Sequence, residues 1–291
     1  MVTGRRSLWF EWLNGLFLLA VSLTMVAPLI HLLAVSLSDE MYAQAQLVSF
    51  WPKGFQLDVY REIVSLPTIW RSMGVTIYIT VVGTVLSLLL TSSIAYGLSR
   101  PQTPGRKWSI RAILVTFIFH VPLIPNYLLI RGIGLLDTLW ALMIPPAVGA
   151  FGVLVMKTSF QGLSTELFDA AKIDGCNEFS VYWRIALPQS RPMLATLALF
   201  GAVGLWNSYF AAIIFINDPK LYPLQVLLRK LVVLDNGNLY IGQNVGDTSS
   251  YIPPEMMKAG IILFATFPIL LVYPFLQKYF VKGAMLGSLK E

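Results

Sequence analysis

The side chains able to do chemistry crowd into one stretch, Glu166–Pro188, which reads ELFDAAKIDGCNEFSVYWRIALP. Only 12% of the chain is charged, yet this stretch holds Glu166, Asp169, Lys172, Asp174, Glu178 and Arg184 between two hydrophobic runs. Elsewhere the usual catalytic signatures are missing. No GxxxxGK[ST] phosphate loop occurs, so the chain does not hydrolyse ATP by that route. The two histidines, His31 and His120, are far apart and form no HExxH, and Cys176 is the single cysteine. A metal-binding cysteine cluster and an internal disulfide are both excluded. The chemistry on offer is recognition by a charged, bent surface, and no metal or cofactor is expected to bind this chain.

Two short helices with a forced bend must position those residues. Ser164 or Thr165 can cap the first helix, and Glu166 and Asp169 put negative charge in its first turns, where the helix dipole favours it. Ala170 and Ala171 keep the helix thin enough for another surface to approach its backbone. Gly175 stands where a helix needs a left-handed residue to stop. The second helix carries Phe179, Tyr182, Trp183 and Ala186 at i, i+3, i+4 and i+7, which predicts one apolar face. Pro188 disfavours helical geometry at Leu187, so the unit is expected to close there. An amphipathic hairpin lying on a membrane is usually rich in Lys and Arg. Here Lys157, Lys172, Arg184 and Arg191 are balanced by Glu166, Asp169, Asp174 and Glu178, which favours docking on a protein.

The flanking runs define the setting. Fifty-six per cent of the 291 residues are hydrophobic, too many for a soluble domain. Runs without Asp, Glu, Lys or Arg cover Trp12–Ser38, Ser72–Ser99, Ala112–Ile130, Thr138–Met156, Pro192–Asn217 and Ala259–Gln277. Each is long enough to cross a hydrocarbon core, which takes roughly 20 apolar residues in a helix. Six membrane-spanning helices in one domain, 1–291, are expected. The first run exceeds the length of a signal-peptide core and should remain as an anchor. With the N-terminus inside, the inner segments carry 13 of the 21 Lys and Arg and the outer segments 8. The short Arg100–Arg111 loop has four basic residues and no acid. Both termini and the 157–191 loop are therefore expected in the cytoplasm. This asymmetry explains the net charge of +6, and no nucleic-acid partner is needed.

Several positions along the spans invite a functional reading beside a structural one. His31 and His120 fit packing histidines better than a proton relay. Trp51-Pro52-Lys53-Gly54-Phe55 marks a turn with aromatic anchors in the first outer segment. Pro122 and Pro125 interrupt the third span; Pro145, Pro146, Gly149 and Gly152 interrupt the fourth. Interrupted spans line substrate paths in transporters, and they are equally ordinary packing kinks. Asn126 and Tyr127 in the third span, and Trp206, Asn207 and Tyr209 in the fifth, are the candidates for lining such a path. An amide beside aromatic faces suits a sugar, and helix packing uses the same residues. The short Arg131–Thr138 turn makes the third and fourth spans antiparallel neighbours. The outer segment Asn217–Lys258, with turn signals at Asn236-Gly237 and Ile252-Pro253-Pro254, is a candidate contact surface for an external partner. The last span is expected to break at Pro268 and Pro274.

The central stretch resembles the cytoplasmic coupling motif of binding-protein-dependent ABC import permeases, written Glu-Ala-Ala, three residues, Gly, nine residues, Ile-x-Leu-Pro. Asp169, Ala170 and Ala171 are followed at the right spacings by Gly175, then Ile185, Leu187 and Pro188; Asp169 stands where the family usually has Glu. The Trp51–Gly54 start of the outer segment and the ending Tyr273–Glu291 look like the maltose-type carbohydrate permeases, so the likeness covers most of the chain. Within them it is most similar to the subgroup serving complex or acidic oligosaccharides, alginate among them. The resemblance implies the type I ABC importer permease fold in the bacterial cytoplasmic (inner) membrane. It implies a second, related permease, two ATP-binding subunits that hold the ATP and Mg, and an external solute-binding protein that delivers the oligosaccharide. Closure of the ATPase pair would turn the spans through the coupling helices. It implies coupling roles for Glu166, Asp169, Ala170, Ala171, Asp174, Gly175, Ile185, Leu187 and Pro188. Some members also insert the C-terminal tail, here Gly283–Glu291, between the ATPase subunits.

Two other classes compete. A secondary carrier or channel would work without an ATPase, but ion-coupled carriers usually keep ionisable groups inside the membrane, and the six runs contain none. A membrane enzyme would need a catalytic pair within the spans, where only the unpaired His31 and His120 occur. A transport path without its own energy source, plus a docking loop, points to a permease driven by a separate ATPase.

Overall fold

The computed structural model describes residues 8–119, 121–233 and 252–286. Among them every element is helical: α1 (Leu8–Ser36), α2 (Glu40–Gln44), α3 (Asp58–Ser65), α4 (Pro67–Ser99), α5 (Arg106–Ile118) and α6 (Leu123–Gly132). Then come α7 (Trp140–Met143), α8 (Ala150–Gln161), α9 (Thr165–Ile173), α10 (Glu178–Val181), a π-helical turn (Tyr182–Ala186) and α11 (Leu187–Gln189). The chain continues through α12 (Arg191–Trp206), α13 (Phe210–Phe215), a 3-10 turn (Pro219–Leu221), α14 (Leu224–Val233) and α15 (Pro254–Leu286). His120, the Asn236-Gly237 turn, Arg5, Arg6 and the tail from residue 287 lie outside the described residues.

Three helices are unbroken and apolar over a membrane-crossing length: Trp9–Ser36, Pro67–Ser99 and Pro254–Val272. The other expected spans are made of pieces. α5 and α6 meet at 119°, with Pro122 as the residue before the first turn of α6. In the fourth, α7 ends before Pro145 and Pro146, and α8 restarts after Gly149 in extended geometry. Two adjacent prolines remove two successive donors and a glycine follows, so the helix stops. The fifth breaks at 207–209, between α12 and α13, an interruption that no proline announces.

The expected break at Pro268 and Pro274 is not there: α15 runs through both, as α1 runs through Pro28. A single proline costs one hydrogen bond and kinks a long helix, while the turns on either side stay bonded.

The described residues divide into two compact groups, those within 8–70 and 228–268, and those within 71–227 and 269–286. In the first, the 39–66 segment is tied down by its backbone. Asp39 caps α2 by accepting from the Met41 amide at 2.9 Å, and the Asp39 amide donates to the Lys53 carbonyl at 2.8 Å. Gly54 has φ +67°, and a Cβ there would lie 2.8 Å from that of Asp39, so the turn needs glycine twice over. His31 Nδ1 donates to the Ser49 carbonyl at 2.7 Å, which makes this histidine a loop tether. Val59 and Ile63 of α3 are buried and close on Gly260 of α15.

In the second group, α4 is the common wall of two hydrophobic cores. Ile79 packs near one end with α6, α7 and α13. Tyr96 and Leu98 pack near the other with α8, α9 and the π-helical turn. Thr76, fully buried in α4, accepts from the Leu224 amide at 2.8 Å and so fixes the start of α14. The turn before α7 is clasped by Asp137, whose Oδ1 accepts from the amides of Asn217 and Asp218, both at 2.8 Å.

Candidate docking site on the bent loop

Ser164, not Thr165, caps α9: its Oγ accepts from the Glu166 amide at 3.2 Å. At the other end Gly175 has φ +75°. The Gly175 amide donates to the Lys172 carbonyl at 3.1 Å and the Cys176 amide to the Ala171 carbonyl at 2.9 Å. This is the glycine-stopped helix end that the spacing predicts. Asn177 then caps α10, its Oδ1 accepting from the Ser180 amide at 2.8 Å. The bend is therefore written by Gly175 and Asn177, with Ser164 setting where α9 begins.

The unit does not close at Pro188. Leu187 is fully helical, with φ −62° and ψ −49°, and its amide bonds to the Tyr182 carbonyl five residues back. The wide π turn moves backbone carbonyls away from the proline ring, which would collide with the carbonyl four residues earlier in an α-helix. The break comes at Ser190, with φ −95° and ψ 16°. The expected single apolar face is divided by burial. Tyr182 and Ala186 are buried with Val181, while Phe179 and Trp183 are exposed, stacked edge to face at 6.1 Å.

The structure sorts the candidate coupling residues by direction. Glu166, Asp169, Ala170, Asp174 and Gly175 are exposed on the loop, and Ile185, Leu187 and Pro188 are half-buried. Ala171 faces inward at 4% exposure. Its small side chain lets α9 sit close to its own core; it presents no side chain to a partner. Exposed beside the acids are Ile173 at 87%, Phe179 at 69% and Trp183 at 45%. Apolar groups this exposed next to carboxylates make a surface built to be covered.

Beneath the loop lies a set of side chains that sequence reading did not find. Glu178 Oε2 accepts from the Tyr96 hydroxyl at 2.7 Å, and Arg100 donates to that hydroxyl at 2.8 Å. The Arg100 Nε stands 3.8 Å from Glu178 Oε2, and Lys172 Nζ 3.4 Å from Oε1. The Arg100 guanidinium also stacks on the Phe168 ring, 3.6 Å from its centroid. The hydrogen bond from Tyr96, with the charges of Arg100 and Lys172, holds the Glu178 carboxyl below the usual carboxylate range against the opposing effect of partial burial. Tyr182 is held likewise, its hydroxyl 2.7 Å from Ser92 Oγ. The charges were visible in the sequence; that residues 96 and 100 meet residue 178 was not.

The substrate-path candidates fall in two places. Asn126 and Tyr127 are half-buried on α6, with Tyr127 stacked on Phe215 at 6.4 Å. Tyr127 and Tyr209 border the same hydrophobic core. Trp206 closes α12, 8% exposed, and its indole N–H is buried with no hydrogen-bond partner among the described residues. Asn207 is exposed; its amide donates to the Val203 carbonyl at 2.9 Å. All three fifth-span candidates sit at the break between α12 and α13.

The sequence matches the family described as binding-protein-dependent transport system inner membrane component over residues 7–286. It is 44% identical over 283 residues to the Protein LplC of Bacillus subtilis (strain 168), covering 97% of this chain and 95% of that one. It is 42% identical to the polygalacturonan/rhamnogalacturonan transport system permease protein YtcP of the same organism, covering 97% and 98%. In three dimensions it is similar to a chain of a bacterial ABC transporter involved in the import of the acidic polysaccharide alginate, with a TM-score of 0.88 and 32% identity over 95% of this chain and 98% of that one. The chain, with its bent, acid-bearing loop braced on α4, thus belongs to the inner membrane components of binding-protein-dependent transport systems.

Proposed function

We propose that this chain is one permease subunit of an ATP-driven importer that moves an acidic oligosaccharide, of the polyuronate class, across the bacterial cytoplasmic membrane. The observation that carries the transport reading is the family match over 7–286, nearly the full chain. The acidic sugar rests on two relatives, one named for polygalacturonan and rhamnogalacturonan and one for alginate. On this reading residues 1–291 act as one permease domain with both termini inside and 157–191 as its cytoplasmic loop. A second, related permease completes the path, and an external solute-binding protein delivers the sugar. Two ATP-binding subunits hold ATP and Mg, and one receives the exposed face formed by Glu166, Asp169, Ala170, Asp174 and Gly175.

The energetics are those of differential binding. ATPases docked on the loop shift the permease only as far as they bind its two conformations unequally. The loop must therefore be stiff and firmly seated, and the caps and the brace on α4 supply both properties. Asn126, Tyr127, Trp206, Asn207 and Tyr209 stand as wall residues for the sugar, aromatic faces beside amides.

The test is ATP hydrolysis by the reconstituted importer with its solute-binding protein. Oligogalacturonate or oligoalginate should stimulate hydrolysis, and a neutral malto-oligosaccharide of equal length should not. Stimulation by the neutral sugar alone would overturn the acidic class. Sugar uptake by the chain alone in liposomes, without any ATPase, would overturn the importer reading in favour of a carrier or channel.

A further inference from the structure

Glu178 lies outside the fixed letters of the coupling motif, yet three elements meet on its carboxylate. One oxygen receives the Tyr96 hydroxyl from the last turns of α4. The other faces Lys172 of α9 across the Gly175 bend. Arg100, just past the end of α4, joins the two: it donates to Tyr96, stands 3.8 Å from Glu178 and stacks on Phe168 of α9. Arg100 is largely enclosed, with 19% of its side chain exposed. Its Nε is buried with no hydrogen-bond partner among the described residues. The negative charge at hand for it is the Glu178 carboxylate.

The arrangement solves a mechanical problem. A helix stopped by a glycine bends where the glycine is, so a load placed on α9 would be spent at Gly175. A cross-brace from α10 to α9, itself bonded to α4, removes that freedom. We propose that Glu178 is a positioning residue for energy coupling: through Tyr96 and Arg100 it locks both arms of the bent loop to the end of α4, so that a displacement of the loop is delivered to that span. The inference rests on the importer reading and deepens it, assigning the route by which the loop reaches the membrane helices.

The test uses the whole importer, with partner permease, ATP-binding subunits and solute-binding protein, in proteoliposomes. The quantity measured is ATP hydrolysed per sugar imported. Glu178→Ala should raise that ratio about threefold or more, within the range by which mutations along a coupling route act, while the ATPase still co-purifies. Tyr96→Phe removes one oxygen and should raise the ratio in the same direction. Glu178→Gln keeps an acceptor for Tyr96 and should fall between Glu178→Ala and wild type. Because the residues act as one brace, Tyr96→Phe combined with Glu178→Ala should be no worse than Glu178→Ala alone. An unchanged ratio in Glu178→Ala and Tyr96→Phe, or strictly additive effects, would overturn the brace. Absence of any ATPase from the wild-type complex would instead overturn the importer reading.

Discussion

Gly175 carries the bend on its own backbone. Its φ of +75° lies in the left-handed region, and nothing stands within 4 Å of where a Cβ would be. Substitution there is a conformational matter, not a steric one. An ordinary L-residue costs about 1–2 kcal/mol in that geometry, and a β-branched one fits worst. Gly175→Val should therefore leave the chain in the membrane but uncouple ATP hydrolysis from uptake, whereas Gly175→Asn, which tolerates the left-handed region, should keep most transport. Wild-type uptake by Gly175→Val would show that the bend is dispensable. Glu178 gives a second residue-scale prediction. Its carboxyl is lowered from an ordinary 4.5, so its contribution is complete above about pH 5 and lost as pH falls through the depressed value. Being half exposed, the pair is worth under about 1 kcal/mol. The thermal midpoint of the wild type in detergent should exceed that of Glu178→Gln at pH 7, and the gap should shrink below pH 4.5; a gap that widens on acidification would contradict the assignment.

Among the elements, α3 and α15 fit because one of them has no side chain at the contact. A Cβ at Gly260 would lie 2.5 Å from Val59 Cγ1 and 2.9 Å from Ile63 Cδ1, both fully enclosed. Gly260→Leu should cost about 1–3 kcal/mol by overpacking, read as a lower thermal midpoint, while Gly15→Leu, with open space around it, should not. Elements were legible in the sequence to the degree that local chemistry decides them. Ser164 and Gly175 wrote the two ends of α9, and the Pro145-Pro146 pair wrote the gap after α7, while the Asn177 cap of α10 went unread. Pro268 and Pro274 misled because an isolated proline bends a long helix without ending it. Pro188 misled because a π turn absorbs the ring, in a segment whose Tyr182 hydroxyl is hydrogen-bonded to Ser92 on another helix. The meeting of Tyr96, Arg100 and Glu178 was unreadable for the same reason: it is set by the packing of α4 against α9 and α10, not by spacing along one helix.

At the scale of the whole molecule, much of the surface waits for neighbours. Along α1 the apolar side chains stand open, Leu16 at 68%, Phe17 at 64% and Leu19 at 58%, as suits a helix facing lipid or another membrane chain. The bent loop is open in a different way, with carboxylates beside Ile173, Phe179 and Trp183. An acid among exposed apolar groups confers specificity: a basic partner gains, and a reversed charge is repelled. That is why Asp169, exposed on the loop, is the position to challenge. On the proposed reading this loop seats the ATPase that drives transport. The direct test is co-purification, in detergent, of the wild-type chain and Asp169→Lys with the second permease and an ATP-binding subunit expressed beside them. The ATP-binding subunit should accompany the wild type and be lost with the reversed charge, while the second permease is retained in both. Equal retention of the ATP-binding subunit by Asp169→Lys, or its absence from the wild type, would contradict that reading.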